Sequence, residues 1–274
     1  MTDYQPYSIH RLSNIETYYS TFSVGSSYSR PIASSVIEAD GDGFMALEER
    51  VLNRLRVQSP LGASESNDVT RYIYTAVMSV ASAFDIWQPG SRKSPGTFFE
   101  VFMAALFQLH MTNVTLSKHI NLGALLGTDT TAEEAVAREL TGSDEEEEES
   151  SVSTDLVATS RLNGLSAVLP LKITTRERVV QPFAHQRILE SSFPGRYFSF
   201  LCCISETQLD KKTHSVKQIC VPGTIKLFQR FLSPMNGIYY CDPPVRYTQP
   251  SLTNIIPVKK LGEVFNDVRS LLAA

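Results

Sequence analysis

A chain of 274 residues can bury a sizeable core, as one large α/β domain or as one domain with a helical lobe. Its 42% hydrophobic and 20% charged content places it among ordinary globular proteins, and no apolar run reaches transmembrane length. A formal charge of −4 argues against a uniformly basic nucleic-acid binder, but Asp144 and Glu145 to Glu149 hold six acids in one solvated run, and the rest of the chain carries +2.

Residues 1 to about 43 are polar and rich in Ser and Tyr, and read as an arm or extended cover. Helical spacing follows at Met45, Leu47, Val51, Leu52 and Leu55, predicting a helix over Met45–Arg56. A second helix is predicted over Val69–Trp87. A third starts near Ser94-Pro95, a capping residue followed by proline at the first helical position, and runs to about Met111. Residues 131–140 read as a short helix before the acidic loop.

Beyond that loop the pattern turns to strands. Thr154–Ser160 and Leu165–Thr174 flank Asn163-Gly164, a strong signal for a two-residue hairpin turn. A helix is predicted over 176–191, and the apolar run Tyr197–Ile204 reads as a central strand buried on both faces. Val216–Val221 and Ile238–Cys241 read as strands, and Thr224–Phe231 and Lys259–Leu272 as helices. There are no internal repeats. The expected fold class is α/β, a mixed central β-sheet flanked by helices, divided into an N-terminal arm and helical region (1–90) and a core (91–274).

The four cysteines lack CxxC spacing, and Cys202 and Cys203 are adjacent in a predicted buried strand, which fits reduced thiols. With no apolar signal core at the polar N-terminus, the expected location is cytoplasmic.

The predicted hairpin carries the chemistry. A two-residue turn at Asn163-Gly164 sets Asp155 directly opposite Lys172 on one face, a few ångströms apart. A carboxylate able to hold a divalent cation beside an ammonium able to polarise a phosphate or a water suits phosphodiester cleavage. The competing reading is an ordinary cross-strand ion pair, contributing about 0–1 kcal/mol.

Three stretches carry a family resemblance. Ser94-Pro95-Gly96-Thr97-Phe98-Phe99-Glu100 resembles the Ser-Gly-x-x-Phe-Glu opening of a helix near the active site of the PD-(D/E)xK restriction endonucleases. Asp155 is similar to their metal-binding aspartate. Lys172-Ile173-Thr174-Thr175-Arg176-Glu177-Arg178 resembles the Lys-x-Ser/Thr-x-Arg-Asp/Glu-Arg signature of the group that reads sites built around CCGG. A weaker likeness continues through Asn236-Gly237-Ile238-Tyr239-Tyr240. Two departures stand out: Pro170 occupies the position of an acid two residues before the lysine, and Val179–Ile188 contains no acid to replace it, but Gln181, His185 and Gln186. Glu100 or Glu190 could supply the missing carboxylate, or the site could manage with fewer.

The resemblance implies a restriction-endonuclease-like fold and a magnesium-dependent type II restriction endonuclease cutting double-stranded DNA at a palindromic CCGG-containing site. It implies Asp155 and Glu100 as Mg²⁺ ligands, and Lys172 as the residue that orients or deprotonates the attacking water. Arg176 and Arg178 can each donate two hydrogen bonds to guanine O6 and N7, and Glu177 can accept from cytosine N4. A palindromic duplex offers two equivalent scissile phosphates, so a homodimer or a tetramer is expected. The alternative is a non-catalytic DNA-binding protein on a nuclease-like scaffold. A third candidate, a calcium loop at Glu38-x-Asp40-x-Asp42-Gly43 with Glu49, lacks the first aspartate and an entering helix, so a helix-capping Asp/Gly turn competes with it.

Overall fold

The computed structural model describes residues 5–11, 18–24, 28–33, 36–38, 40–87, 94–121, 151–210 and 215–273. The chain opens with strands β1 (Gln5–Arg11), β2 (Tyr18–Val24) and β3 (Tyr28–Ala33), paired antiparallel in that order. The stretch read as an arm or extended cover thus contains three paired strands. Tyr18-Tyr19-Ser20-Thr21-Phe22-Ser23-Val24 is dense in aromatic and β-branched residues, which suit a pleated surface despite the polar composition.

Helix α1 spans Gly41–Arg56, starting four residues before the predicted Met45, because the Asp40 carboxylate accepts a hydrogen bond from the Asp42 N–H at 3.1 Å and caps it. The calcium-loop candidate is therefore a helix start, and Glu38 is paired with Arg71 at 2.6 Å. Helices α2 (Ala63–Trp87) and α3 (Ser94–His110) follow. The expected helix at 131–140 and the acidic run at 144–149 lie outside the described residues.

The remaining elements are β4 (Val114–Asn121), β5 (Ser151–Ser160), β6 (Ser166–Val168), β7 (Leu171–Lys172), a one-turn 3-10 helix (Arg176–Val179), α4 (Val180–Ser192) and β8 (Tyr197–Ser205). After these come β9 (Thr207–Asp210), β10 (Ser215–Gln218), α5 (Pro222–Phe231), β11 (Gly237–Asp242), α6 (Pro250–Thr253) and β12 (Val258–Lys260). A 3-10 turn (Leu261–Glu263) leads into α7 (Val264–Ala273). The predicted helix from Lys259 thus begins as a strand, drawn out by parallel pairing of β12 with β11. Strand β4 was not anticipated; its signal is the short Val114-Thr115-Leu116 alternation.

The main sheet has seven strands in the order β12-β11-β8-β6-β5-β4, with β7 also on β8. Strands β12, β11, β8, β6 and β7 run parallel to one another, while β5 pairs antiparallel with β6 and β4 antiparallel with β5. The expected mixed sheet flanked by helices is the fold observed. Each central strand feeds two cores. Phe200, Cys202 and Ile204 of β8 face a cluster with α1, α2, α3 and α7, while Leu201 and Cys203 face another built on α4, α5 and α6. That double burial explains the nearly continuous apolar run, broken only at Ser199. All four cysteines are free thiols, and among the described residues no helix is long and apolar enough to cross a membrane.

Candidate active site

The hairpin that carries Asp155 exists, but its register differs from the predicted one by two residues. Ser160 N–H donates to the Leu165 carbonyl at 2.8 Å and Gly164 N–H to the Ser160 carbonyl at 3.1 Å, so residues 161–164 form a four-residue loop. A type I′ turn needs positive φ at both central residues. Here Gly164 has φ 72°, but Asn163 does not share it and instead accepts the Leu165 N–H on its side chain. Val157 consequently faces Val168 and Thr159 faces Ser166, and Asp155 falls opposite Pro170 rather than Lys172.

A two-residue shift preserves the face, since side chains alternate with period two. Asp155 and Lys172 remain neighbours, diagonally placed, with Lys172 Nζ 2.7 Å from Asp155 Oδ2. Two local irregularities make the contact. Pro170 has no N–H and interrupts the strand that would otherwise join β6 to β7, although both keep one register on β8. On the other side, Thr154, Asp155 and Leu156 bulge against Lys118 of β4, between the pairs Ser117–Val157 and His119–Ser153. With β5 bent away, the Leu171 N–H donates to Asp155 Oδ2 at 2.6 Å instead of to a backbone carbonyl. Both bonds fall on Oδ2. Oδ1 makes none among the described residues and is the oxygen open to a cation. The side chains are 19% and 28% exposed, within reach of a large polyanion.

Glu100 projects from α3 to β4, where Oε2 accepts a hydrogen bond from Lys118 Nζ at 3.1 Å. The Lys118 carbonyl in turn accepts from Thr154 Oγ1 at 3.0 Å. Glu100 is thereby linked to the bulge that presents Asp155, without bonding Asp155 itself. His185, half-buried on α4, lies close enough to feel both charged groups: burial and the Lys172 ammonium hold its imidazole below the usual range, and Asp155 opposes them. Gln186 is committed to the core, donating to the Tyr197 carbonyl and accepting from Ser199. Among the described residues no three His, Cys, Asp or Glu side chains converge as a preformed metal nest. Magnesium does not require one, because it binds through one or two carboxylates together with waters and substrate phosphates. Asp155 Oδ1 suits that mode.

Arg176 and Glu177 lie on the 3-10 turn that follows β7, and Arg178, whose N–H donates to the Thr175 carbonyl at 2.9 Å, is exposed. The predicted continuous helix over 176–191 is this turn followed by α4. Two buried acids escaped the sequence reading, Asp242 on β11 and Glu206. Glu206, 1% exposed, lies between β8 and β9 and accepts hydrogen bonds on Oε1 from the Thr175 N–H (2.9 Å), the Thr175 hydroxyl and the Tyr240 hydroxyl (3.3 Å). Its only sequence signal is an acid directly after an apolar strand.

Against solved structures, the chain is similar to the type IIP restriction endonuclease Kpn2I, with 44% sequence identity, a TM-score of 0.80, and coverage of 98% of this chain and 85% of that one. A second structure, restriction endonuclease PspGI in complex with substrate DNA, aligns with 84% of this chain and 92% of that one at 9% identity and a TM-score of 0.44. No protein-family model matches the sequence, and no curated protein does.

Proposed function

From a chain that belongs to the type II restriction endonucleases, and so is a site-specific deoxyribonuclease, we infer a Mg²⁺-dependent enzyme that cuts double-stranded DNA at a palindrome containing CCGG. The observation that carries the catalytic assignment is the Asp155–Lys172 pair at 2.7 Å, on a bulge and a proline-interrupted strand beside the Arg176–Arg178 turn. Asp155 would hold the cation through Oδ1, and Glu100 would contribute directly or through water. A Mg²⁺ ion held there would supply charge neutralisation at the phosphate and at the leaving 3′ oxygen. Lys172, as an ammonium, orients the attacking water and adds a positive charge beside the phosphate, the water's proton leaving to solvent. Asp155 fixes the lysine for this task through the same oxygen that anchors the Leu171 N–H.

Arg176, Glu177 and Arg178 read base edges in the major groove, the arginines donating to guanine and the glutamate accepting from cytosine N4. One active site per protomer and two scissile phosphates per palindrome support a homodimer or a tetramer of two dimers. Four free thiols fit a cytoplasmic enzyme.

The deciding experiment incubates plasmid DNA with Mg²⁺ and separately with Ca²⁺, followed by sequencing of the cut ends. Discrete fragments with Mg²⁺ alone, ending within CCGG, are expected. DNA retarded but uncut in both would indicate binding without catalysis, and cuts at sites lacking a CC/GG step would overturn the specificity. Lys172→Ala should bind DNA without cutting it. Light scattering showing a monomer both free and on cognate DNA would refute the oligomer.

A further inference from the structure

We propose that Glu206 is the positioning residue that fixes the base-reading turn relative to the catalytic lysine, so that discrimination between DNA sequences depends on it although it lies away from the DNA-facing surface. The inference rests on the reading of Arg176–Arg178 as the specificity segment.

The geometry is a continuation of the β7–β8 register by other means. Leu171 pairs with Cys202 and Lys172 with Cys203. One step further, Ser205 N–H donates to the Ile173 carbonyl at 3.1 Å. The ladder then ends, and the Glu206 carboxylate takes over, accepting the Thr175 N–H at 2.9 Å. Thr175 thus stays in step with β8 at the same offset as Lys172, and the three residues between catalysis and reading are held along their length.

Thr175 is well suited to transmit this constraint. It is the N-cap of the 3-10 turn Arg176–Val179, where a threonine hydroxyl ordinarily bonds an N–H of its own helix. Here it makes no such bond and donates to Glu206 across 31 residues of sequence. Its carbonyl meanwhile accepts the Arg178 N–H at 2.9 Å. One residue therefore joins the carboxylate on one side to the reading turn on the other. Burial makes the clamp stiff: Thr175 is 2% exposed and Tyr240 is 0% exposed. Tyr240 donates to the same carboxylate oxygen and packs on Tyr247, ring centroids 5.8 Å apart. The low surrounding dielectric strengthens charge-assisted bonds of this kind. Loosening the clamp lets the arginines shift against the scissile phosphate, and a misplacement near 1 Å can cost on the order of 100-fold in rate.

The test compares Glu206→Gln, Thr175→Val, Thr175→Ser and Arg178→Ala with the wild type. For each, kcat/KM is measured on a cognate duplex and on duplexes with one altered base pair, alongside the melting temperature. Thr175→Val should lower the cognate-to-altered ratio by about tenfold or more, as a displaced contact would, and Thr175→Ser, which keeps the hydroxyl, should restore it. Glu206→Gln retains an acceptor oxygen but loses its charge, and should fall between them. If Glu206→Gln does not fold, the two threonine variants decide alone. A lower melting temperature with an unchanged ratio in Thr175→Val would reduce the clamp to a scaffold contact and overturn the proposal. Arg178→Ala separates the two levels: an unchanged ratio there refutes the base-reading assignment. A ratio lost in Arg178→Ala but kept in Thr175→Val refutes only the role of Glu206.

Discussion

Replacing Asp155 tests its proposed role at the cation apart from its structural one, because the two can be removed one at a time. Asp155→Ala removes the acceptor from the Leu171 N–H (2.6 Å) and from Lys172 Nζ (2.7 Å). Leu171 is buried, so its orphaned N–H costs about 1–3 kcal/mol. Against a typical stability of roughly 5–15 kcal/mol the variant still folds. Its melting temperature should fall by about 2–4 °C per kcal/mol lost. Asp155→Asn keeps a carbonyl oxygen for Leu171 and should melt close to the wild type. Both substitutions remove the anionic oxygen proposed to hold the cation. Losing an outer-sphere partner of a metal site costs about 10–100-fold, so losing the ligand itself should exceed about 100-fold. The assay is the initial rate of plasmid cleavage in Mg²⁺, with melting curves on the same preparations and DNA retardation in Ca²⁺. Asp155→Asn cutting within tenfold of the wild-type rate would refute the reasoning and leave a plain ion pair in its place.

Three further outcomes follow from particular contacts. Glu100→Ala should reduce cleavage about 10–100-fold and raise the Mg²⁺ concentration needed; near-normal rate and metal dependence would reduce the Lys118 contact to a surface pair. His110 is fully buried, its Nδ1 3.3 Å from the Leu55 carbonyl and its Nε2 without a hydrogen-bond partner among the described residues, and burial, with Arg269 and Arg54 nearby, lowers its pKa. The unfolded chain therefore binds a proton that the fold resists, so stability is complete above about pH 6.5 and falls as pH drops toward the lowered value. His110→Gln should flatten the decline in melting temperature between pH 7.5 and 5, and an unchanged slope would contradict this. Finally, a Cβ on Gly262 would lie 2.0 Å from the Ser66 carbonyl oxygen, and the Gly262 N–H bonds Thr70 Oγ1 at 2.8 Å. Gly262→Ala should lower the melting temperature by about 2–12 °C by overpacking, whereas Gly223→Ala, which meets nothing within 4 Å, should not.

Much of this protein is fixed by local pattern. Helix periodicity located α1 and the body of α2, which starts six residues earlier than expected, and the Ser94-Pro95 start signal located α3. The apolar run of β8 announced a strand covered on both faces, and the Asp155–Lys172 proximity survived a wrong register because a two-residue slip keeps the face. The tertiary structure decided what no window of sequence contains. The hairpin loop has four residues because Gly164 bonds back to Ser160, leaving Asn163 outside the left-handed region. The bulge at Thr154–Leu156 exists only against Lys118, and it turns the Asp155 carboxylate onto the Leu171 N–H. Whether an acid is a ligand, a clamp or a surface charge depends on contacts between residues far apart in the chain. Nothing local distinguishes Glu206, buried and hydrogen-bonded to Thr175 at the start of the 3-10 turn, from Glu100, held by a lysine on the neighbouring strand. Their environments were set when the strands took their order, and the chemistry of a carboxylate is set by its surroundings.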